Sequence, residues 1–266
     1  MNIDTVQPFS SRINVRMDEP KNIYVGCAGW SITRDQSHLF PGTGSHLERY
    51  AQRLPAVEIN SSFYRPHKKV TYARWGSSVP ESFRFAVKVP KEITHQRRLV
   101  DVSDLTLSFL SDVEALGDRL GPLLVQLPPS LEYDEARATE FFGTLRNASV
   151  GAVVCEPRHA SWFTSEVDAA LVHFRVARVA ADPAILPLAA EPSGWDGVAY
   201  FRRHGSPQRY YSTYSKADIK AMAERLRTIA SSDVPAWCIF DNTAAGAAVV
   251  NTIELLQSLG DAPSTL

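Results

Sequence analysis

IYVGCA at 23–28, AVEI at 56–59 and FRFAVK at 83–88 are the runs whose reading decides the fold. Each is short and built of Val, Ile, Phe, Ala and Cys, with almost no polar alternation. A strand covered on both faces reads this way, and such strands belong to parallel sheets. Outward from them the same kind of run returns as PLLVQL (122–127), AVVCE (152–156), VARVAA (176–181), VAYFRRH (198–204) and AWCIF (236–240). Helical periodicity fills the intervals around 46–54, 68–76, 104–119, 134–146, 163–174, 215–230 and 243–259. Ser45, Ser103 and Ser215 stand where an N-cap supplies an oxygen to free backbone N–H groups, and Asp218 follows Ser215 at capping-box spacing. The segment 183–197, PAILPLAAEPSGWDG, carries three prolines and reads as a loop in place of a helix. The pattern predicts an α/β fold: a single parallel (β/α) TIM-type barrel of about eight strands, with one helix missing or irregular.

Length agrees, since barrels of about 250 residues form one domain and this chain has 266. The predicted organisation is a flexible extension over 1–22, the barrel over 23–259 and a short tail over 260–266, with no internal repeat and no linker. Hydrophobic residues make up 44% and charged residues 21%, which suits a globular domain rather than a disordered chain. With 28 Lys+Arg against 29 Asp+Glu, no global field draws the protein to nucleic acid or to an anionic membrane, and any basic site must be local. Residues 1–22 lack the apolar stretch of a secretory signal, and no window approaches the ~18 to 20 apolar residues of a membrane span. Cys27, Cys155 and Cys238 are odd in number, far apart and set in apolar runs, which predicts reduced buried thiols; Cys27 and Cys238 fall on strands that become neighbours if the barrel closes. A cytoplasmic location, without membrane contact, is the expectation.

In a parallel barrel the C-terminal strand ends and the loops that follow them build the site. Polar residues gather there: Glu58 and Asn60, Lys88, Gln126, Glu156 and Arg158, Asp182, Arg202 and His204, and Asp241 and Asn242. Alternation places Glu58 with Asn60, Glu156 with Arg158, and Arg202 with His204 on one face each. Under the outer helices such charges would cost several kcal/mol unless paired, so the inward, mouth-facing reading is preferred.

Seven motifs, in order, resemble the YecE-like family, known as domain of unknown function 72: GCAGWS (26–31), VEINSSFYR (57–65), FRFAVKVPKEITHQRRL (83–99), GPLLVQLPPS (121–130), CEPRHASW (155–162), FRRHG (201–205) and FDNTAAGAAVVN (240–251). The resemblance covers residues 23–259 and implies a TIM-type barrel of bacterial or archaeal origin with no settled activity. The chain departs from the family pattern where a GTSGWSY-like opening is replaced at Cys27, Ala28 and Ile32. It departs again where Asp241 stands for the Asn of the usual FNN motif and adds a carboxylate at the mouth.

The residues themselves suggest several chemistries. Glu58, Glu156 and Asp241 are candidates for acid/base catalysis. The same carboxylates and Asp182, with His159 or His204, offer oxygen and nitrogen ligands to a divalent metal; the alternative is a metal-free network in which they pair with Lys88, Arg158 and Arg202. Lys88, Lys91, His95, Arg97 and Arg98 after strand three, and Arg202, Arg203, His204 and Arg209 after strand seven, suggest a small anionic ligand bearing a phosphate or carboxylate. Trp30, Phe63, Tyr64 and Trp162 follow strand ends and offer flat faces for a ring, or else pack beneath the loops. Asn60, Gln126, His159 and Asn242 complete the candidate binding set. No dinucleotide fingerprint, P-loop or nucleophile elbow is present. Three readings follow: a hydrolase or isomerase acting on a small polar anion by acid/base chemistry; a nucleic-acid processing or binding protein, disfavoured by the neutral charge; and a non-catalytic ligand sensor.

Overall fold

The computed structural model describes residues 22–148 and 151–260, so nearly all of the expected N-terminal extension (1–21) and of the tail (261–266) lies outside the described residues. The strands are β1 Ile23–Ala28, β2 Ala56–Ile59, β3 Arg84–Lys88, β4 Leu120–Gln126, β5 Val153–Glu156, β6 Val176–Arg178, β7 Ala180–Asp182, β8 Ser193–Gly194, β9 Ala199–Arg203 and β10 Ala236–Phe240. The helices are α1 His46–Ala51, α2 Ser61–Tyr64, α3 Lys69–Ser77, α4 Ser103–Val113, α5 Glu135–Ala148, α6 Ser165–His173, α7 Lys216–Ala230 and α8 Ala247–Gly260. They give one mixed, mainly parallel sheet in the order β7-β9-β10-β1-β2-β3-β4-β5-β6-β8, curled into a nearly closed barrel.

The sheet therefore has ten strands where eight were expected. Two local events account for the difference. The expected sixth strand breaks at Val179: β6 pairs with β5, whereas β7 pairs with β9. The Val179 N–H still reaches the Cys155 carbonyl at 2.8 Å, so the chain changes neighbour without leaving the wall. The proline-rich segment also forms more than a loop, since Pro187–Ala190 makes a 3-10 turn and β8 lies antiparallel on β6.

Two apolar layers follow from strand alternation. The outward side chains, among them Val25, Val57, Phe85, Val125 and Phe201, pack beneath the helices. The inward ones, Ala56, Ala86, Leu124, Val154, Ala177, Tyr200, Trp237 and Ile239, fill the barrel. Cys27 and Cys238 do lie on the adjacent strands β1 and β10. All three cysteines are free and buried, and burial pushes the Cys27 thiol up to about 11 and the Cys238 thiol up to about 12. Gly26 marks the tightest strand approach, because a Cβ there would sit 2.0 Å from the Ala56 carbonyl oxygen. Beside it the Tyr50 hydroxyl accepts from the Cys27 N–H at 2.9 Å and donates to the Ala56 carbonyl at 3.0 Å, clamping α1 to both strands.

Capping follows the sequence at two of three positions. Ser45 forms a capping box with Glu48, and Ser215 forms one with Asp218. Ser103 is instead the first helical residue of α4; Val102 holds the cap position and makes no side-chain bond. The predicted 104–119 helix also ends early, because the chain kinks at Gly117 (φ 57°, ψ −137°) within a 3-10 segment over Glu114–Arg119.

Candidate functional site

β9 carries the centre of the mouth. Tyr200, Arg202 and His204 face inward on alternate positions, and all three are fully buried. The Arg202 guanidinium grips Glu58 of β2 with two bonds (Nε–Oε2 3.0 Å, Nη2–Oε1 2.8 Å), Glu156 of β5 at 2.7 Å and Asp241, just past β10, at 3.1 Å. Gln126 of β4 lies 3.4 Å from the same group. Four strands thus converge on one planar cation whose forked donors match carboxylates.

A second ring of contacts holds these groups in place. The Tyr200 hydroxyl donates to Glu58 at 3.0 Å. His204 sets Nδ1 3.0 Å from Asp241 and Nε2 3.0 Å from Glu156, and Arg158 pairs with Glu156 and approaches His204 Nε2 at 2.8 Å. Burial would raise the Glu156 carboxyl, but the positive charges of Arg202, Arg158 and His204 outweigh it and hold the group well below the usual carboxylate range. Asp241 is lowered in the same way, with Arg202 the largest influence against its burial. The three carboxylates raise Arg202 further despite its burial.

Lys88, at the end of β3, is built differently. It is 5% exposed, and among the described residues its ammonium donates to no hydrogen-bond acceptor; the Phe63 ring lies 4.2 Å from Nζ. The Ser62 hydroxyl, between the carbonyls of Ile59 (2.8 Å) and Lys88 (2.6 Å), ties α2 to the ends of β2 and β3 and sets Phe63 over the amine. Burial, reinforced by the Arg202 charge, lowers Lys88 to about 8. His95 packs edge-on against the same Phe63 at 4.8 Å. It sits in a π-turn over Glu92–Gln96, a feature frequent at functional sites. Burial and the nearby Lys88 and Arg158 charges lower its imidazole to about 4. The Thr94 hydroxyl stands between the Pro90 carbonyl (3.2 Å) and His95 Nδ1 (2.9 Å) and fixes the ring's orientation.

Several candidates lie elsewhere. Trp162 is 1% exposed and donates to the Leu131 carbonyl at 2.9 Å, so it is core beneath the loops. Trp30 packs edge-on against Trp75 of α3 (4.9 Å) and against Phe85, on the helix side of the sheet. Tyr64 is exposed, touching Phe63 edge-on. His159 caps the turn at Ala160–Trp162 through Ser161. Asn242 donates to the Ser212 carbonyl and to Asn251 of α8, which fastens the loop after β9; its Oδ1, like that of Asn60, is buried without a partner. Asp182 faces outward opposite Arg203 in the β7–β9 register and accepts from Tyr214 at 2.6 Å. Exposed Arg97 pairs with half-buried Glu92, and Arg98 bonds Ser130. Among the described residues no three His, Cys, Asp or Glu side chains converge to hold a metal ion; the space between the mouth carboxylates is filled by Arg202.

Two contributors escape the sequence reading. Tyr200 was legible, since it lies two residues before Arg202 on the same strand face. Tyr210 was not: it stands edge-on to His204 at 5.9 Å, and only the loop's path puts it there. The 510 Å³ cavity lined by Trp195, Val198, Arg225 and Ile229 lies toward the opposite, N-terminal end of β9, away from all of this chemistry.

The chain resembles known proteins along most of its length. It is 35% identical over 106 residues to UPF0759 protein YecE of Escherichia coli K12, a match covering 40% of this chain and only 38% of that protein's length. With UPF0759 protein YunF of Bacillus subtilis it shares 22% identity across 89% of this chain and 94% of the relative. The crystal structure of a DUF72 family protein from Thermotoga maritima superposes with a TM-score of 0.75 at 24% identity, covering 90% of this chain and 99% of that one. One from Enterococcus faecalis does so with a TM-score of 0.74 at 21% identity, covering 92% and 99%. The model of the family described as "Protein of unknown function DUF72" matches residues 24–266, and the chain belongs to that family.

Proposed function

We propose that the protein is an enzyme that draws a small anionic substrate, bearing a phosphate or carboxylate, into the barrel mouth and moves a proton there. The observation that carries this reading is a pair of buried cations with donors to spare. Lys88 has no hydrogen-bond acceptor among the described residues, and Arg158 Nε is buried without a partner. Buried polar groups are normally satisfied, so the orphaned Arg158 Nε–H, together with a Lys88 ammonium that no described protein oxygen holds, leaves donors free for an acceptor that arrives with the ligand. Both charges depress His95, and His95 and Lys88 both lie against the Phe63 ring.

The division of labour departs from the expectation that the carboxylates act directly. Glu58, Glu156 and Asp241 spend their oxygens on Arg202 and His204, which suits them to fixing the mouth rather than to exchanging protons. His95 is the better base, half-buried and neutral near pH 7 with one ring nitrogen unprotonated; an incoming anion offsets the two cations that depress it and strengthens it when substrate is present.

Calorimetric titration of the full chain with inorganic phosphate and with short carboxylates tests the proposal. Binding should weaken as pH rises through about 8, where Lys88 loses its charge, and should fall at least about tenfold in Lys88→Met, a loss of about 1.4 kcal/mol. Absence of any anion binding at pH 6.5 and low salt would overturn it. Binding without turnover would reduce the protein to a sensor.

A further inference from the structure

We infer that Lys88 is also a nucleophile, and that the mouth takes a 2-oxo carboxylic acid whose carbonyl carbon bonds to Lys88 Nζ while its carboxylate meets Arg158. The inference rests on the anion-binding reading above and gives it a substrate class.

Three features separate Lys88 from an ordinary charged lysine. It sits at the end of β3, so its position is set by the barrel wall rather than by a mobile loop. It is buried, yet every mouth carboxylate is committed to Arg202, Arg158 or His204, and no oxygen among the described residues holds its protons. Phe63 covers one side of the amine and excludes water there. Lysines desolvated beside another cation, as Lys88 is beside Arg202, are the ones that serve as imine-forming nucleophiles. A phosphate site alone would need charge, which arginine supplies as well, and would gain nothing from an amine kept close to its neutral form.

The neighbours fit the steps. His95 packs against the same Phe63 ring, and as a neutral imidazole it has one unprotonated nitrogen to take the proton that the ammonium must lose. The freed lone pair attacks the carbonyl carbon; the π electrons move to oxygen, which takes up a proton and becomes the hydroxyl of a carbinolamine. Expulsion of that hydroxyl as water, with loss of the remaining N–H proton, leaves the imine. One water is released for each imine and no redox partner is required. The second anchor is Arg158, whose Nε–H is orphaned while Nη2 stays on Glu156. A carbonyl at one point and an acid at the other describes a 2-oxo acid more closely than a phosphate ester.

Pyruvate and sodium borohydride, added to the full-length protein at pH 7.5, provide the test, read by intact mass and peptide mapping. Expected is one carboxyethyl group on Lys88, at least tenfold above any surface lysine, slowed by excess inorganic phosphate and absent in Lys88→Arg. Because Lys88→Arg can fail to fold, the wild-type peptide map and the phosphate competition decide by themselves. Adducts spread evenly over surface lysines, or none on Lys88, overturn the inference. If calorimetry then still shows Lys88-dependent phosphate binding, only the covalent step falls; if it does not, the anion site falls with it.

Discussion

Arg202→Met removes the cation that neutralises the barrel mouth and leaves the surrounding packing nearly unchanged in volume. Glu58 loses two bonds, and Glu156 and Asp241 lose one each, in a region where Arg202 and Glu58 are fully buried. Breaking a buried pair from one side costs about 3–5 kcal/mol, because the abandoned charge stays desolvated. In a domain of this size that corresponds to a fall in Tm of about 6–20 °C, a large share of a total stability of about 5–15 kcal/mol. The pH dependence carries a sign. In the wild type Glu156 and Asp241 have folded pKa values below their unfolded ones, so their contribution is complete above about pH 4–5 and is lost as pH falls through the folded values. Without Arg202, both groups lose the largest influence that opposes their burial, their folded pKa values move up, and the cost appears as pH rises. The gap between variant and wild type should therefore widen from pH 4 to pH 7. Urea denaturation at pH 4, 5.5 and 7 reads this directly. A loss below about 1 kcal/mol, or one equal at all three pH values, would refute the account of the mouth as a buried charge network centred on Arg202.

Lys88→Met should stabilise the fold while abolishing anion binding. Lys88 titrates at about 8 when folded and near 10.5 when unfolded; the unfolded chain therefore holds the extra proton between those values, wild-type stability rises across that window, and below it the charged amine costs about 1–3 kcal/mol, a gain that thermal melts at pH 7 would show in the variant. NMR titration of His95 should give a midpoint near 4 in the free protein that moves upward when phosphate is added, and an unchanged midpoint would separate His95 from the anion site. Gly26→Ala drives a Cβ into the Ala56 carbonyl, forces β1 from β2, and should cost several kcal/mol in urea melts. Tyr50→Phe leaves the Cys27 N–H without its acceptor and should cost about 1–3 kcal/mol by the same assay.

The mouth shows where sequence reading reaches. Parity along a strand placed Glu58, Glu156, Arg202 and His204 inward, and the cost of burying unpaired charge chose the face. Position at a strand end misled for Asp182, because the break at Val179 sets Ala181 beside Arg202 and Asp182 beside Arg203. Ring residues after strand ends carried too little information: Trp30 and Trp162 are apolar surfaces that loops fold under, whereas Phe63 covers the amine. Capping gave Ser45 and Ser215 but misplaced Ser103, which is the first helical residue while Val102 holds the cap position.

By itself the sequence determined the parallel α/β wall, the positions of its strands and helices, and the polar character of their C-terminal ends, since these depend on residue period and on local composition. The tertiary structure alone decided the partners. Four separate strands had to meet before Arg202 could take three carboxylates and leave Lys88 with none, and pairing between residues 39 to 144 positions apart is set by closure of the sheet, which no local pattern encodes. The ten-strand count has the same origin, because whether a run of Val and Ala continues or breaks depends on which neighbours the curled sheet offers it.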